Sequence, residues 1–194
     1  IRLYVPADAP KLAAIHNRVY PDEHYSVLGF NEYVAGIRSL GGFFWVITNP
    51  VPAGYGSIVP VPGLQGISEL AGCIAPEQQR KGLGSRLLAG MLDGLRGSDI
   101  QQLSFSVDRL DSPAALFLRG HNFFVEHEEW ILRLDEMAKL PQRSCPGEIK
   151  LQTYSRKTAV SLFCQLYEES FTGLPWNQPF TQIEVAATLD NADD

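Results

Sequence analysis

Pro76-Glu77-Gln78-Gln79-Arg80-Lys81-Gly82-Leu83-Gly84-Ser85-Arg86-Leu87-Leu88 joins an apolar, strand-like run, Ile67 to Ala75, to a helix-like run, Ser85 to Leu95. A glycine-punctuated turn between a strand and a helix leaves backbone N–H groups without partners at the helix start. Those donors and the positive end of the helix dipole suit a pyrophosphate. Gly82 and Gly84 lack Cβ, so phosphates can approach the backbone and positive φ is allowed. Arg80, Lys81 and Arg86 add positive charge to the same turn.

The surrounding residues narrow the choice of phosphate ligand. A Walker loop needs Lys-Ser/Thr after its second glycine, and here Lys81 precedes the glycine pair. A dinucleotide fingerprint needs Gly or Ala three residues after the second glycine, and residue 87 is Leu. The pattern Gln/Arg-x-x-Gly-x-Gly/Ala after a buried strand is the pyrophosphate loop of the GNAT superfamily of N-acetyltransferases. Gln79-Arg80-Lys81-Gly82-Leu83-Gly84 resembles it at every defined position. A second stretch, Asp111 to Phe123, resembles that family's helix ending in Tyr-x-x-x-Gly-Phe, with Leu118 in place of the Tyr and Asn122 in place of the Gly.

Elements read outward from the loop agree with this in order. Ile1 to Val5 alternates as a strand, and Ala7 to Val19 carries Leu12, Ile15 and Val19 at helical spacing. Asp22 to Phe30 reads as a polar, aromatic-rich loop. Asn31 is the expected N-cap of a helix over Glu32 to Leu40, ended by Gly41-Gly42. Phe43 to Thr48 and Ala53 to Val61 read as a β-pair, Gln102 to Val107 as a further strand, and Ser112 or Asp111 as the cap of a helix to Gly120. Phe123 to Glu126 and Glu129 to Leu134 are expected as two last strands. The resemblance implies an α/β fold (α+β by some schemes), with a mixed, mostly antiparallel central sheet. It has a splayed parallel strand pair and helices on both faces.

The resemblance further implies that the chain binds acetyl-CoA. Cys73, Ile74 and Ala75 would meet the pantetheine arm, and Gln79, Arg80, Lys81, Gly82, Leu83, Gly84, Ser85 and Arg86 the pyrophosphate. It implies transfer of an acetyl or other acyl group to a primary amine by direct attack, on a small-molecule or peptide acceptor. Glu69 resembles the strand glutamate that some members use as base through a water. Leu118 stands where the family has the tyrosine that reprotonates the leaving thiolate. Coenzyme A thiolate leaves acceptably without an acid, because a thiol has a pKa of about 8.5, whereas a positioned acid is worth about 10²–10⁴-fold. The alternative reading is a catalytically silent acyl-CoA-binding domain that regulates a tandem partner. His24 and Tyr25 are candidates for the acceptor loop, against an ordinary surface pair. Cys73, with no His nearby in sequence, reads as core packing rather than as a nucleophile.

Composition bounds the rest. The chain has 194 residues, 45% apolar and 20% charged, with net charge −6 and pI near 5.2. That balance excludes a nucleic-acid footprint over the whole chain and fits a local basic turn for an anionic ligand. No apolar run approaches the roughly 20 residues that span a bilayer, so no membrane partner is expected. Cys73, Cys145 and Cys164 are odd in number and far apart, which argues against a disulfide framework. A reduced, cytoplasmic setting is the expectation. The four histidines have no ligand spacing, so no metal is expected. Oligomeric state stays open, a homodimer included.

The acetyltransferase domain is expected over residues 1–136 and a turn-rich linker over 137–147. Beyond it, Ile149-Lys150-Leu151 echoes Ile1-Arg2-Leu3, Ala159 to Phe171 echoes Ala7 to Val19, and Phe180-Thr181-Gln182 echoes Phe30-Asn31-Glu32. An offset of one domain length reads as a tandem repeat whose second copy, 148–194, holds one strand and two helices. The bland alternative is a helical C-terminal extension.

Overall fold

The computed structural model describes residues 1–128, 155–174, 177 and 180–190. The chain divides into two compact units, Ile1–Asp108 and Arg109–Asp194.

The first unit is built on a five-stranded sheet with order β1-β2-β3-β4-β5. The strands are β1 (Arg2–Leu3), β2 (Phe43–Thr48), β3 (Pro52–Pro60), β4 (Ile67–Ile74) and β5 (Gln102–Ser104). The first four pair antiparallel, with Arg2 opposite Val46, Trp45 opposite Gly56 and Gly54 opposite Ile74. Only β4 and β5 are parallel, from Ile67 opposite Gln102 to Glu69 opposite Ser104. The helices are α1 (Ala9–Val19), α2 (Val27–Ser39) and α3 (Leu83–Gly94), the last making the crossover between the parallel strands. The expected mixed sheet with one parallel pair is therefore present.

Strand alternation sends neighbouring side chains to opposite faces. Phe44, Val46, Tyr55 and Cys73 bury with Ala9, Leu12, Ala13 and Ile15 of α1 and Phe30, Val34 and Ile37 of α2. Trp45 and Gly56 point the other way, onto α3. A Cβ on Gly56 would collide with the Met91 thioether, and Gly94 passes under the Trp45 ring. Aromatic rings dominate the α1/α2 side. Phe30 lies 5.6 Å from Tyr55 and 6.0 Å from Phe44, and Phe44 stacks on Tyr55 at 4.9 Å. Such offset and edge contacts add to the area these rings bury.

One expected boundary is corrected. Helix α2 starts four residues before Asn31, because Ser26 is its N-cap and its Oγ accepts from Gly29 N at 3.0 Å. Asn31 is inside the helix, where its side chain satisfies itself in two directions. Nδ2 donates to Val27 O one turn back, and Oδ1 accepts from the Tyr4 hydroxyl at 2.7 Å. The helix ends as expected, with Gly41 in the left-handed region at φ 78°.

The second unit holds α4 (Pro113–Arg119), α5 (Arg156–Phe171) and α6 (Gln182–Asp190). Ser112 caps α4, its Oγ accepting from Ala115 N at 3.2 Å, and Asn122 takes φ 68° after the helix. Tyr167 of α5 sits between Phe171, 4.6 Å away, and Phe180, 4.7 Å away. Phe123 to Glu126 is irregular rather than a strand. Phe123 N turns back to Leu118 O, closing the end of α4, and Phe124 is 82% exposed where a sheet residue would pack. Glu129 to Leu134, the linker 137–147 and the echo Ile149 to Leu151 lie outside the described residues.

Candidate functional site

Strand β4 carries the site along its length and delivers the chain to α3. At its C-terminal end the Gln79 side-chain amide donates to Ile74 O at 3.0 Å, tying the loop to the strand it leaves. Arg80 then takes φ 59° and Gly82 φ 76°, both left-handed. Alternation of left- and right-handed residues curls successive N–H groups toward one concavity, a geometry suited to anions. The backbone N–H groups of six consecutive residues, Arg80 to Ser85, donate to no acceptor among the described residues, and the next one, Arg86 N, opens the helix by donating to Gly82 O at 3.1 Å. Gly82 has open space where a Cβ would stand, so its conformation, and not crowding, is what calls for glycine. Lys81 turns its ammonium back onto Glu77 O at 2.7 Å. Arg80, Ser85 and Arg86 are exposed around the turn, whereas Leu83 packs inward.

Upstream, the sheet opens. Pairing of β4 with β5 stops at Glu69–Ser104, and Leu70 to Ile74 have no β5 residue beside them. Two carbonyls of this stretch are taken by side chains: Ile74 O by Gln79, and Gly72 O by the Tyr20 hydroxyl at 3.0 Å. Gly72 sits at φ 154°, opposite Gly56, where a Cβ would strike the Tyr55 carbonyl. Glycine is thus forced at the midpoint of the open edge. The Ala75 N–H is engaged with Ala53 O at 2.8 Å. Cys73 is buried, and burial pushes its thiol up to about 12, with the Tyr55 hydroxyl acting weakly in the opposite direction. It is a neutral thiol at physiological pH, as a packing residue would be.

Behind Cys73 the Tyr55 hydroxyl lies 2.6 Å from His16 Nδ1. Burial drives the Tyr55 phenol far above its ordinary range and holds the His16 imidazole below its own. A protonated phenol and a neutral imidazole share that hydrogen bond, and the far ring nitrogen, Nε2, faces Glu23. That atom has no hydrogen bond and lies 3.9 Å from the Glu23 carboxylate. Burial also raises the Tyr20 phenol, to about 12.

A cavity of about 420 Å³ opens on the α2 side of β3 and β4. Glu69 is at its mouth, where strand alternation puts Glu69, Ala71 and Cys73 on one face of β4. Ile37 and Ser57, both buried, also line the cavity. Tyr33 and Val59 form walls, and burial raises the Tyr33 phenol above its usual range.

The structure therefore brings Glu69, Cys73, Ile74, Ala75 and the residues Gln79 to Arg86 onto a single strand–loop–helix unit. His24 and Tyr25 are not in the cavity wall. Asn17 pins them instead: its Nδ2 is 3.0 Å from His24 Nε2 and donates to Tyr25 O, while its Oδ1 accepts from Tyr25 N. Sequence reasoning passed over Tyr20, Tyr33 and Ser57. The signal for Ser57 was present in the period-2 set Tyr55, Ser57, Val59, and for Tyr33 in the helical set Tyr33, Ile37, Leu40 once α2 starts at Ser26. In the second unit, Leu118 is buried at 7% exposure. Among the described residues no three His, Cys, Asp or Glu side chains are grouped as for a metal ion, and no helix is long and apolar enough to cross a membrane.

The acetyltransferase (GNAT) family model matches residues 9–123. No curated protein is similar enough in sequence to count as a match. Solved structures share the fold at low identity. Ribosomal-protein-alanine N-acetyltransferase from Brucella melitensis is 21% identical with TM-score 0.56, over 62% of this chain and 81% of that one. A Salmonella typhimurium structure with its cofactor acetyl-CoA is 21% identical with TM-score 0.56, over 64% and 78%. Glucosamine-6-phosphate N-acetyltransferase from Arabidopsis thaliana is 14% identical with TM-score 0.54, over 69% and 97%.

Proposed function

The chain belongs to the acetyltransferase (GNAT) family, and on that premise we propose that it transfers an acetyl group from acetyl-CoA to a primary amine. The observation that carries this reading is the run of N–H groups from Arg80 to Ser85, at the start of α3, that meet no acceptor among the described residues. Such a cradle suits a pyrophosphate: it offers donors, helix dipole and the exposed Arg80 and Arg86, with no carboxylate of its own. Cys73 to Ala75, at the end of β4, would hold the pantetheine arm, the Ala75 N–H being already engaged with Ala53 O. Bound there, acetyl-CoA supplies an activated acetyl group with a thiolate leaving group.

The protein's own residues have three tasks. The loop Gln79–Arg86 binds and orients through its backbone. N–H groups of the open β4 edge stabilise oxyanion charge, because fixed donors in a partly dry cleft need no reorganisation during reaction. Glu69 takes the proton that an ammonium must lose before it attacks a carbonyl. Glu69 is exposed, so a water can complete that path. Titration of the chain with acetyl-CoA and with free coenzyme A tests the reading. One site per chain at micromolar affinity, lost in Gly84→Glu, supports it, and an unaffected titration in that variant overturns the loop assignment.

One observation favours a second reading, a silent acyl-CoA-binding domain: the position of the family's acid tyrosine holds a buried leucine, Leu118. Leu118→Tyr separates the two. A large gain in turnover from a near-zero wild-type rate identifies a silent domain, whereas a wild-type rate that Tyr does not improve identifies an enzyme that needs no acid there. The repeat echo of α5 and α6 on α1 and α2 would give such a domain a tandem partner.

A further inference from the structure

We infer that the cavity between α2 and β3–β4 selects a primary amine with a compact apolar body and no second charge. The alkyl- and aralkylamines meet that description; polyamines, amino sugars and free amino acids do not. The inference rests on the acyl-transfer reading for the identity of the group as an acceptor, and on the cavity itself for its chemistry.

The cavity's volume, about 420 Å³, falls in the small-molecule range of roughly 300–1,000 Å³. Glu69 is the only charged residue among the described residues that line it. A single carboxylate binds one ammonium. A second ammonium would be pushed against Ile37, Leu40 and Val59 with nothing to pair it, and an unpaired charge against apolar surface is expensive. A carboxylate or phosphate on the acceptor would meet Glu69 and find no Lys or Arg among the described lining residues. Those absences reject charge; the apolar residues attract carbon. Leu40 stays 57% exposed at the rim, although a helix end could turn such a residue inward at little cost. An apolar ligand body would cover it.

Polar atoms are sparse and placed deep. Ser57 is at 1% exposure, and its hydroxyl bears on the Tyr33 phenol of the same cavity. Ser57 and Glu69 both lie on the α2 face, on adjacent strands, with Ser57 opposite Ala71 and Val59 opposite Glu69. The cavity is therefore lined by one carboxylate, that of Glu69, and by the hydroxyls of Tyr33 and Ser57. A neutral hydroxyl or ether on the far end of the amine would meet Ser57, and a charged one would not be matched.

Chemical-shift mapping of the intact chain tests this with phenethylamine, spermidine and phenylalanine, the last adding only a carboxylate to the first. Phenethylamine is expected to perturb Tyr33 and Ala71 and to bind at least about tenfold tighter than either competitor, about 1.4 kcal/mol. Glu69→Gln should weaken it by about the same factor, and Ala71→Leu should weaken it by filling the wall; both variants are checked for an unchanged thermal midpoint. Equal or tighter binding of spermidine or phenylalanine overturns the inference, as does binding insensitive to Glu69→Gln. The acetyl-CoA titration is run separately. If the amine binds as described and acetyl-CoA does not, the acyl-transfer reading fails while the amine pocket stands. If acetyl-CoA binds and the amine does not, the pocket assignment fails alone.

Discussion

The two halves of the site on β4 are made of different material. At the loop, Arg80 to Ser85 would act through backbone N–H groups on the proposed reading, and the side chains could vary widely as long as φ turns positive at residues 80 and 82. At the cavity, the backbone is ordinary strand and helix, and the chemistry rests on side chains drawn from α2, β3 and β4. A backbone site constrains sequence through local conformation, so it leaves a contiguous signature. A side-chain site constrains residues that are close only after folding.

The largest expected effect breaks the loop without breaking the fold. Gly84→Glu puts a carboxylate in the first turn of α3, where it favours the helix dipole and opposes a phosphate. Acetyl-CoA affinity should fall by at least about a hundredfold, or about 2.7 kcal/mol, while the thermal midpoint holds or rises slightly. Calorimetry and a melting curve on the same sample check both halves. A variant that loses stability together with affinity would mean that the loop is structural and that the contrast with the cavity is false.

Next in size is Glu69→Gln. A base contributes about 10²–10⁴-fold, so turnover of an amine at neutral pH should drop within that range while acetyl-CoA affinity is unchanged. Raising the pH should narrow the gap, because more of the amine is then already neutral. A pH–rate profile decides it, and a deficit that stays constant with pH would remove Glu69 as base.

The cavity face also carries a pH signature in stability. Burial lowers the His16 pKa in the folded chain below its ordinary value of about 6.5. Between the two values the unfolded chain holds the extra proton, so stability rises with pH across that window. It is fully present above about pH 6.5 and is lost as pH falls toward the lower, folded value. Urea midpoints should therefore decline on acidification from neutrality, and His16→Phe should flatten the decline. An unchanged slope in that variant would place the titrating group elsewhere.

How the halves were legible follows the same division. Gln79-Arg80-Lys81-Gly82-Leu83-Gly84 announced the loop because a strand-to-helix turn with positive φ needs glycine or a tolerant residue at fixed offsets. Element order announced the mixed sheet, because apolar periodicity is local. Glu69 was found through its distance from that loop, and its face became definite only with the register of β3 on β4. Tyr20, Tyr33 and Ser57 were passed over: periodicity puts Ser57 and Tyr33 on buried faces, but nothing local marks a hydroxyl that meets Gly72 O or lines a cavity. Asn31 misled for a related reason. Asn competes well as a cap, but Ser26 offered a cap one turn earlier that lets Phe30 join the core.

The smallest effects sharpen the contrast through their sign. Gly82 and Gly36 are both glycines with open space at the Cβ position, one in the loop and one in the cavity wall. Gly82 sits at φ 76°, so Ala there must occupy the left-handed region and should cost about 1–2 kcal/mol. Gly36 lies inside α2 with helical geometry, so Ala there removes unfolded-chain entropy and should stabilise by about 0.5–1 kcal/mol. Equilibrium denaturation of the two variants is sufficient. Opposite signs would mean that glycine is required by backbone conformation at the loop and by nothing structural at the cavity, leaving room for a ligand as the reason Gly36 is small. If Gly36→Ala also weakens phenethylamine binding while raising stability, that glycine is a specificity residue of the cavity.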